Sequence, residues 1–340
     1  MAVIKDVANL AGVSVATVSK YLNQPENVRE INRTKIAKAI QDLNYKPSSL
    51  ARSMRTKRTN LIAIIVPEIT NFYYSEVFNA VRVASAERGY TPILYTTEES
   101  VDILREYLND ITSLGADGII FCFLDEDGII DELKDVQNNI PVVLMSWDVN
   151  NTYFNSVVVD VYDGIFRATK YLIEQGHTHI AYVGGPADSR ISKEKYKGYK
   201  NALIGASIEI YPEYNMSGKY RFQTGYRCAR EFMCLETPPT AIVAANDVLA
   251  VGCVKYLASN GINVPEDCAV IGFDGINLAL LYQPSITTME QPIDKMGMEA
   301  VNLLVSKIDA PTTKNKQIIF KTTLSERTTT NSNASVKFEI

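Results

Sequence analysis

Residues 5 to 22, KDVANLAGVSVATVSKYL, constrain this chain more than any other stretch. Two short amphipathic helices meet there at Gly12-Val13-Ser14, with Val7, Ala8, Ala11, Val13, Val18 and Leu22 able to pack inward. Ser14 is placed to cap the second helix, because its hydroxyl accepts an orphan amide proton of the first turn. One face of that second helix stays free. Its outward positions Val15, Ala16, Thr17, Ser19 and Lys20 are small, polar or cationic. This is the pattern of a helix-turn-helix, whose second helix enters the DNA major groove. A helical hairpin that meets no nucleic acid fits the same residues, so the rest of the chain must decide.

Charge decides in part. The formal net charge is −5, but residues 1 to 60 hold 11 Lys plus Arg against 4 Asp plus Glu. The head is therefore +7 and the remainder −12. A basic head on an acidic body locates a polyanionic partner at the head, and repulsion of the body orients the encounter. The five cysteines, Cys122, Cys228, Cys234, Cys253 and Cys268, show no CxxC spacing and read as buried thiols in a reducing compartment. No signal sequence and no apolar run of membrane-spanning length is visible, so a cytoplasmic protein with no membrane contact is expected.

Residues 1 to 46 read as wholly helical, the third helix running around Thr34 to Leu43 with Ile36, Ile40 and Leu43 as its apolar stripe. Pro47 ends it, because the residue before proline disfavours the helical region. A basic connector follows, with one short helix expected through Met54, too short to be stable alone. From Leu61 the pattern changes. LIAIIVP, TPILY, GIIFCF and PVVLM are apolar runs rich in β-branched residues, separated by stretches of helical composition. A second series from about Asp160 contains HIAYVGG, TAIVAAN and CAVIGFD. Two such series predict two α/β lobes of parallel sheet, with the carboxyl ends of the strands facing a cleft between them.

Cleft candidates follow from strand ends and helix starts. Tyr73 and Tyr74 follow the first strand, Trp147 the fourth, Arg190 the HIAYVGG strand, Asn246-Asp247 the TAIVAA strand, and Asp274 ends VIGFD. Tyr220 is taken with them. Aromatic rings beside Asp, Asn and Arg form a typical sugar-site inventory, the rings stacking and the polar groups bonding hydroxyls. Arg190 with Lys195 could instead hold a phosphate, which keeps a sugar phosphate open. His177 and His179 form an HxH with no evident third ligand, so a structural role is expected and no metal. GGPADS does not complete a dinucleotide fingerprint, and no GxSxG elbow or P-loop is present. No cofactor and no catalytic set is therefore expected, which weighs against an enzyme acting on a sugar or nucleotide.

The pieces IKDVANLAGVSVATVSKYLN, LNYKPSSLARSMRT, IIVP…NFYYSE, EQGHTHIAYVGG, AANDVLAVG, VIGFD, ITTMEQP and LSERTTT, in this order, resemble the lactose/galactose/purine-repressor family of bacterial transcription regulators. The resemblance covers essentially the whole chain. It implies an α/β fold class: a small all-α helix-turn-helix head plus a two-lobed core of parallel sheets, like the periplasmic binding proteins. Its domains would be a DNA-binding head at 1–46, a hinge helix and linker at 47–60, and an effector-binding and dimerisation core at 61–340. The first lobe would hold 61–160 and 291–320, the second 161–290 and 321–340. The function implied is an allosteric repressor of carbohydrate-utilisation genes. It would bind double-stranded operator DNA of pseudo-palindromic sequence as a homodimer, under control of a small-molecule effector, a sugar or sugar phosphate. A global regulator controlled by a protein corepressor is the alternative. No leucine heptad tail is evident near TTTNSNASVKFEI, which favours a dimer over a tetramer.

The same resemblance assigns roles by position. Val15, Ala16 and Lys20 match base-reading residues, the methyl groups suiting thymine and the ammonium guanine. Ser14, Thr17, Ser19, Asn23 and Tyr45 are candidate phosphate donors, which fix register without reading sequence. Ala51, Met54 and Arg55 match the minor-groove residues of the hinge, with Met54 as an apolar wedge between base pairs. Three departures stand out. Val3 replaces a frequent capping Thr, at a cost of roughly 1 kcal/mol to the first helix; Met54 replaces a wedge Leu; and Lys195 replaces a cleft Arg.

Overall fold

The computed structural model describes residues 2–46, 58–98, 100–122, 129–146 and 153–334. The chain forms two compact units, Met1–Asn60 and Leu61–Ile340.

The first unit is a three-helix head: α1 (Ile4–Ala11), α2 (Val15–Asn23) and α3 (Glu30–Asp42). Gly12, at φ 67°, adopts the left-handed conformation that stops α1 and turns the chain into α2. The Asp6 carboxylate accepts the Val3 N–H at 2.8 Å, so half of a capping box persists although Val3 offers no hydroxyl. Val7, Ala8, Ala11, Val18, Val28, Ile36, Ala39 and Tyr45 make the small core, with Val13 and Leu22 only partly buried against it. The third helix begins at Glu30, four residues before the expected Thr34. A short 3-10 turn at Pro25–Asn27 ends just before Val28, which enters the core, and the helix starts two residues later. Thr34 is thus interior to α3, its hydroxyl donating to the Glu30 carbonyl at 3.1 Å.

The second unit carries two six-stranded sheets. The first series is β1 (Leu61–Val66), α4 (Phe72–Glu87), β2 (Thr91–Thr96), α5 (Val101–Leu114), β3 (Gly118–Cys122), α6 (Ile129–Gln137), β4 (Val142–Ser146) and β5 (Asn155–Val159). The second is α7 (Val161–Glu174), β6 (Ile180–Gly184), α8 (Arg190–Gly205), β7 (Asn215–Ser217), α9 (Phe222–Met233), β8 (Ala241–Ala244), α10 (Asp247–Ser259), β9 (Ala269–Asp274), α11 (Asn277–Leu281) and β10 (Thr287–Glu290). The chain closes with α12 (Ile293–Asp309), β11 (Gln317–Phe320) and β12 (Thr323–Ser325). Strand order is β11-β5-β4-β3-β1-β2 in the first sheet and β12-β10-β9-β8-β6-β7 in the second. All pairings are parallel except β10 with β12. The chain therefore crosses between sheets three times: after β5, after β10 and after β11.

Central strands such as β3, β5, β6 and β9 are buried along their whole length, because helices cover both sheet faces. That is why they read as continuous apolar runs in the sequence. Four cysteines are buried as expected, but Cys234, just past the end of α9, is exposed. Among the described residues, no helix is long and apolar enough to cross a membrane.

Candidate functional site

Two surfaces carry the candidate residues. On the head, Ser14 caps α2 by accepting the Thr17 N–H at 3.1 Å, and its hydroxyl lies 2.8 Å from that of Thr17. The exposed side of α2 holds Val15, 42 % exposed, with Ala16, Lys20 and Asn23; Thr17 and Ser19 are half-buried. The Asn23 amide donates to the Ser19 carbonyl. Val18, one turn round the helix, is wholly buried and fixes which face looks outward. Tyr45, expected among the phosphate donors, is 9 % exposed, its ring packed in the head core after the chain turns back onto α3 at Asn44, φ 45°. Ala51, Met54 and Arg55 lie outside the described residues.

In the second unit a cavity of about 100 Å³ opens where the carboxyl ends of the strands converge. The first sheet's side supplies Tyr73, Tyr74 and Val77 from α4, Cys122 and Met145 from the ends of β3 and β4, and Val159 from β5. The second supplies Lys195, Tyr220, Asn246 and Asp274. Asn71 and Gln291 complete the polar lining among the described residues. Tyr73 and Tyr74 pack edge to face, centroids 5.3 Å apart. The Tyr220 hydroxyl lies 3.0 Å from that of Ser192, and its ring lies where any side chain on Gly185 would fall. Glycine at 185 is thus a steric requirement for the tyrosine wall.

The polar groups form one chain across the cleft. The Tyr73 hydroxyl donates to Gln291 Oε1 at 3.2 Å, and Gln291 Nε2 donates to Asp274 Oδ1 at 2.8 Å. Gln291 lies on the second crossing between the sheets, and its backbone N–H also bonds the Asp274 carbonyl at 2.9 Å. Asp274 sits at φ 122°, a strained backbone for a residue with a Cβ. Burial pushes its carboxyl up to about 6, while Lys195 and the Gln291 bond pull it down. Burial likewise draws Lys195 below the ordinary lysine range, opposed by Asp274 and Asp247. The Lys195 Nζ donates to the Ala245 carbonyl at 2.7 Å and lies 4.2 Å from the Phe273 ring centroid. Two further contacts join the sides: Glu76 accepts the Asn277 N–H at 2.8 Å, and Arg221 pairs with Glu68 at 3.5 Å.

The cleft candidates thus sort into three groups. Tyr73, Tyr74, Lys195, Tyr220, Asn246 and Asp274 line the cavity. Asp247 does not. Its Oδ2 accepts the N–H groups of Gly275 and Ile276 at 2.8 and 2.9 Å, and its Oδ1 accepts the Thr288 hydroxyl at 2.6 Å. It is wholly buried and holds the turn after β9, a positioning role that its place beside Asn246 in the sequence did not separate from ligand contact. Arg190 is exposed in the first turn of α8 and off the lining, which its neighbour Ile191 joins instead. Trp147 lies outside the described residues. The sequence reading missed Asn71 and Gln291. Asn71 had a usable signal, an Asx residue directly before a helix, and its side chain does cap α4. The HxH pair is tied into the fold: His177 Nδ1 lies 2.9 Å from the Thr240 hydroxyl and His179 Nδ1 3.2 Å from the Tyr214 hydroxyl.

Comparisons with known proteins agree with both units. The profile described as "Bacterial regulatory proteins, lacI family" matches residues 3–48, and that of a periplasmic binding protein-like domain matches residues 169–330. The HTH-type transcriptional repressor PurR of Vibrio campbellii is 35 % identical over 308 residues, 91 % of this chain and 92 % of that one. The protein of the same name from Pasteurella multocida is 34 % identical over 310 residues, again 91 % and 92 %. Among solved structures, the transcriptional regulator CelR–cellobiose complex is 28 % identical at a TM-score of 0.72, covering 97 % of this chain and 100 % of that one. The lac repressor dimer bound to operator and the anti-inducer ONPF shares the fold at a TM-score of 0.87 and 23 % identity, covering 97 % and 99 %. The chain belongs to the lacI family of bacterial regulatory proteins, and is a DNA-binding transcriptional repressor, not an enzyme.

Proposed function

We propose that this repressor binds a pseudo-palindromic operator as a homodimer, and that a sugar or sugar phosphate in the cleft sets its affinity for that operator. The regulated genes would then serve carbohydrate use. The observation that carries this reading is the cavity itself. Tyrosine rings from one side face Asp274, Asn246 and Lys195 on the other, with Gln291, in the segment after β10, hydrogen-bonded to Tyr73 and Asp274. A sugar suits such a place: its C–H face packs on the rings and its hydroxyls donate to the carboxylate and accept from amide and ammonium. The solved relative that carries cellobiose supports the ligand class.

A ligand bonded to Asp274 and packed on Tyr73 engages both lobes and Gln291 at once. It therefore stabilises one lobe arrangement over another by its differential contacts, which is what moves a two-state equilibrium. The change would reach the head through residues 47–60, where Met54 would act as the wedge. Val15, Ala16 and Lys20 would read bases from α2, and Ser14, Thr17, Ser19 and Asn23 would donate to phosphates. Two experiments test the reading. Operator selection in vitro should recover a two-fold symmetric site whose affinity falls steeply with salt, through counterion release. Met54→Ala should reduce DNA bending and operator affinity with the core fold intact; unchanged bending removes the wedge.

A further inference from the structure

Lys195 and Asp274 are the only charged side chains among the described residues that line the cavity, and they are 4 % and 5 % exposed. One Lys195 proton is spent on the Ala245 carbonyl, and the ammonium is flanked by the Phe273 and Tyr220 rings, centroids 4.2 and 5.5 Å away. One oxygen of Asp274 is spent on Gln291. The neighbouring charges are already engaged. The Asp247 carboxylate is held by two backbone N–H groups and a threonine hydroxyl, Glu76 accepts the Asn277 N–H, and Arg221 faces Glu68. Arg190 is exposed and off the lining. Among the described residues, the lining therefore carries one cation and one carboxylate before any ligand arrives.

That balance bears on what can enter. A phosphate ester brings about −1.5 to −2 charges. Removing such a group from water is offset only by cations not already matched, and among the described lining residues the one ammonium shares the cavity with a buried carboxylate. A neutral polyol meets no such penalty. Its hydroxyls donate to the second oxygen of Asp274 and accept from the remaining Lys195 protons and the Asn246 amide. Asn246 spends only its carbonyl oxygen, on the Leu249 N–H at 2.9 Å. Resting on the reading of the cleft as a sugar site, we infer that the cavity selects a neutral polyhydroxylated ligand over its phosphorylated or carboxylated counterpart, and that the Lys195–Asp274 match sets this selection.

Calorimetry on the full chain tests it with D-glucose and glucose 6-phosphate, D-galactose and galactose 1-phosphate, D-ribose and ribose 5-phosphate, and inorganic phosphate alone. The expected result is binding of a free sugar, its phosphate at least about tenfold weaker, and none of inorganic phosphate. Asp274→Asn keeps a residue type that tolerates positive φ and removes the one carboxylate that lines the cavity with the ammonium among the described residues. It should lose sugar affinity and gain binding of inorganic phosphate. In Lys195→Gln the cation that holds Asp274 down is gone, so the pH midpoint of sugar affinity should move upward, a shift that a merely structural lysine would not produce. Tighter binding of a sugar phosphate than of its free sugar, or a folded Asp274→Asn variant still indifferent to phosphate, overturns the inference. Failure of every sugar and sugar phosphate, with phosphate gained by the variant, overturns the sugar reading alone and leaves the charge match standing.

Discussion

The head and the cleft use polar side chains in opposite ways. On α2 they stand at the surface: Lys20 and Asn23 are exposed, and the Ser14 hydroxyl is spent on holding the helix start. In the cleft they are buried or half-buried and already bonded to one another, from Tyr73 through Gln291 to Asp274. A groove-reading surface works by rigid presentation over a small core. A cleft that reports on a ligand works by a buried network that the ligand must join. The cores differ accordingly. Among the described residues, eight buried hydrophobic side chains hold the head, whereas the second unit has two larger clusters, one of them several times larger.

The largest expected break in this contrast is in the head core. Ile36 is fully buried, and Ile36→Ala should cost about 2–5 kcal/mol, enough to unfold a unit with so small a core. Operator binding should vanish while sugar titration and the melting of the core stay as they were; loss of both together would show that the units are not independent. Next is Asp274→Ala. It should abolish the effector response with operator binding retained, at a cost to ligand affinity of about 1–3 kcal/mol, since it leaves the ligand's hydroxyls and Gln291 without their partner.

A pH series sharpens the same point. Hydroxyls donating to Asp274 favour its ionised form, so binding lowers a carboxyl that burial holds at about 6 in the free cleft. Binding therefore releases a proton as pH falls through that range. Affinity should be flat above it and drop below it, by up to about tenfold per pH unit, until the lowered value of the bound form is reached. An effector affinity flat from pH 7 to 5 would mean that Asp274 is not the acceptor. Smallest is Ser14→Ala, which removes the α2 cap. It should cost about 1 kcal/mol of head stability, read as a lower melting midpoint for the head and weaker operator binding, with effector affinity unmoved.

Much of this is legible in the sequence. The helix-turn-helix pattern shows because Gly12 and Ser14 each have a local task that the sequence states. The parallel sheets show because strands covered on both faces must be apolar throughout. The ends of those strands show where the cleft is, and hence Asp274. What stayed hidden depends on direction, not position. Asn246 and Asp247 are adjacent, yet one lines the cavity and the other ties down the turn after β9, a choice made by residues about 30 positions away at Gly275 and Ile276. Arg190 and Ile191 divide in the same way at the start of α8. Gln291 joins the site only because the second crossing brings it there. The short strands β7 and β12 carry no apolar run, and β11 has only the brief Ile318-Ile319-Phe320; all three are three- or four-residue edge pieces whose pairing comes from the sheet.

The most direct measurement is operator affinity by fluorescence anisotropy, with and without a saturating free sugar, on the wild-type chain and on Asp274→Ala side by side. A change of tenfold or more in the wild type, of either sign, with none in the variant, is the expected result for a cleft that governs the head (about 1.4 kcal/mol of coupling). Equal operator affinity in all four conditions, across the free sugars and their phosphates, would contradict a ligand-governed repressor and leave the cleft without a part in DNA binding.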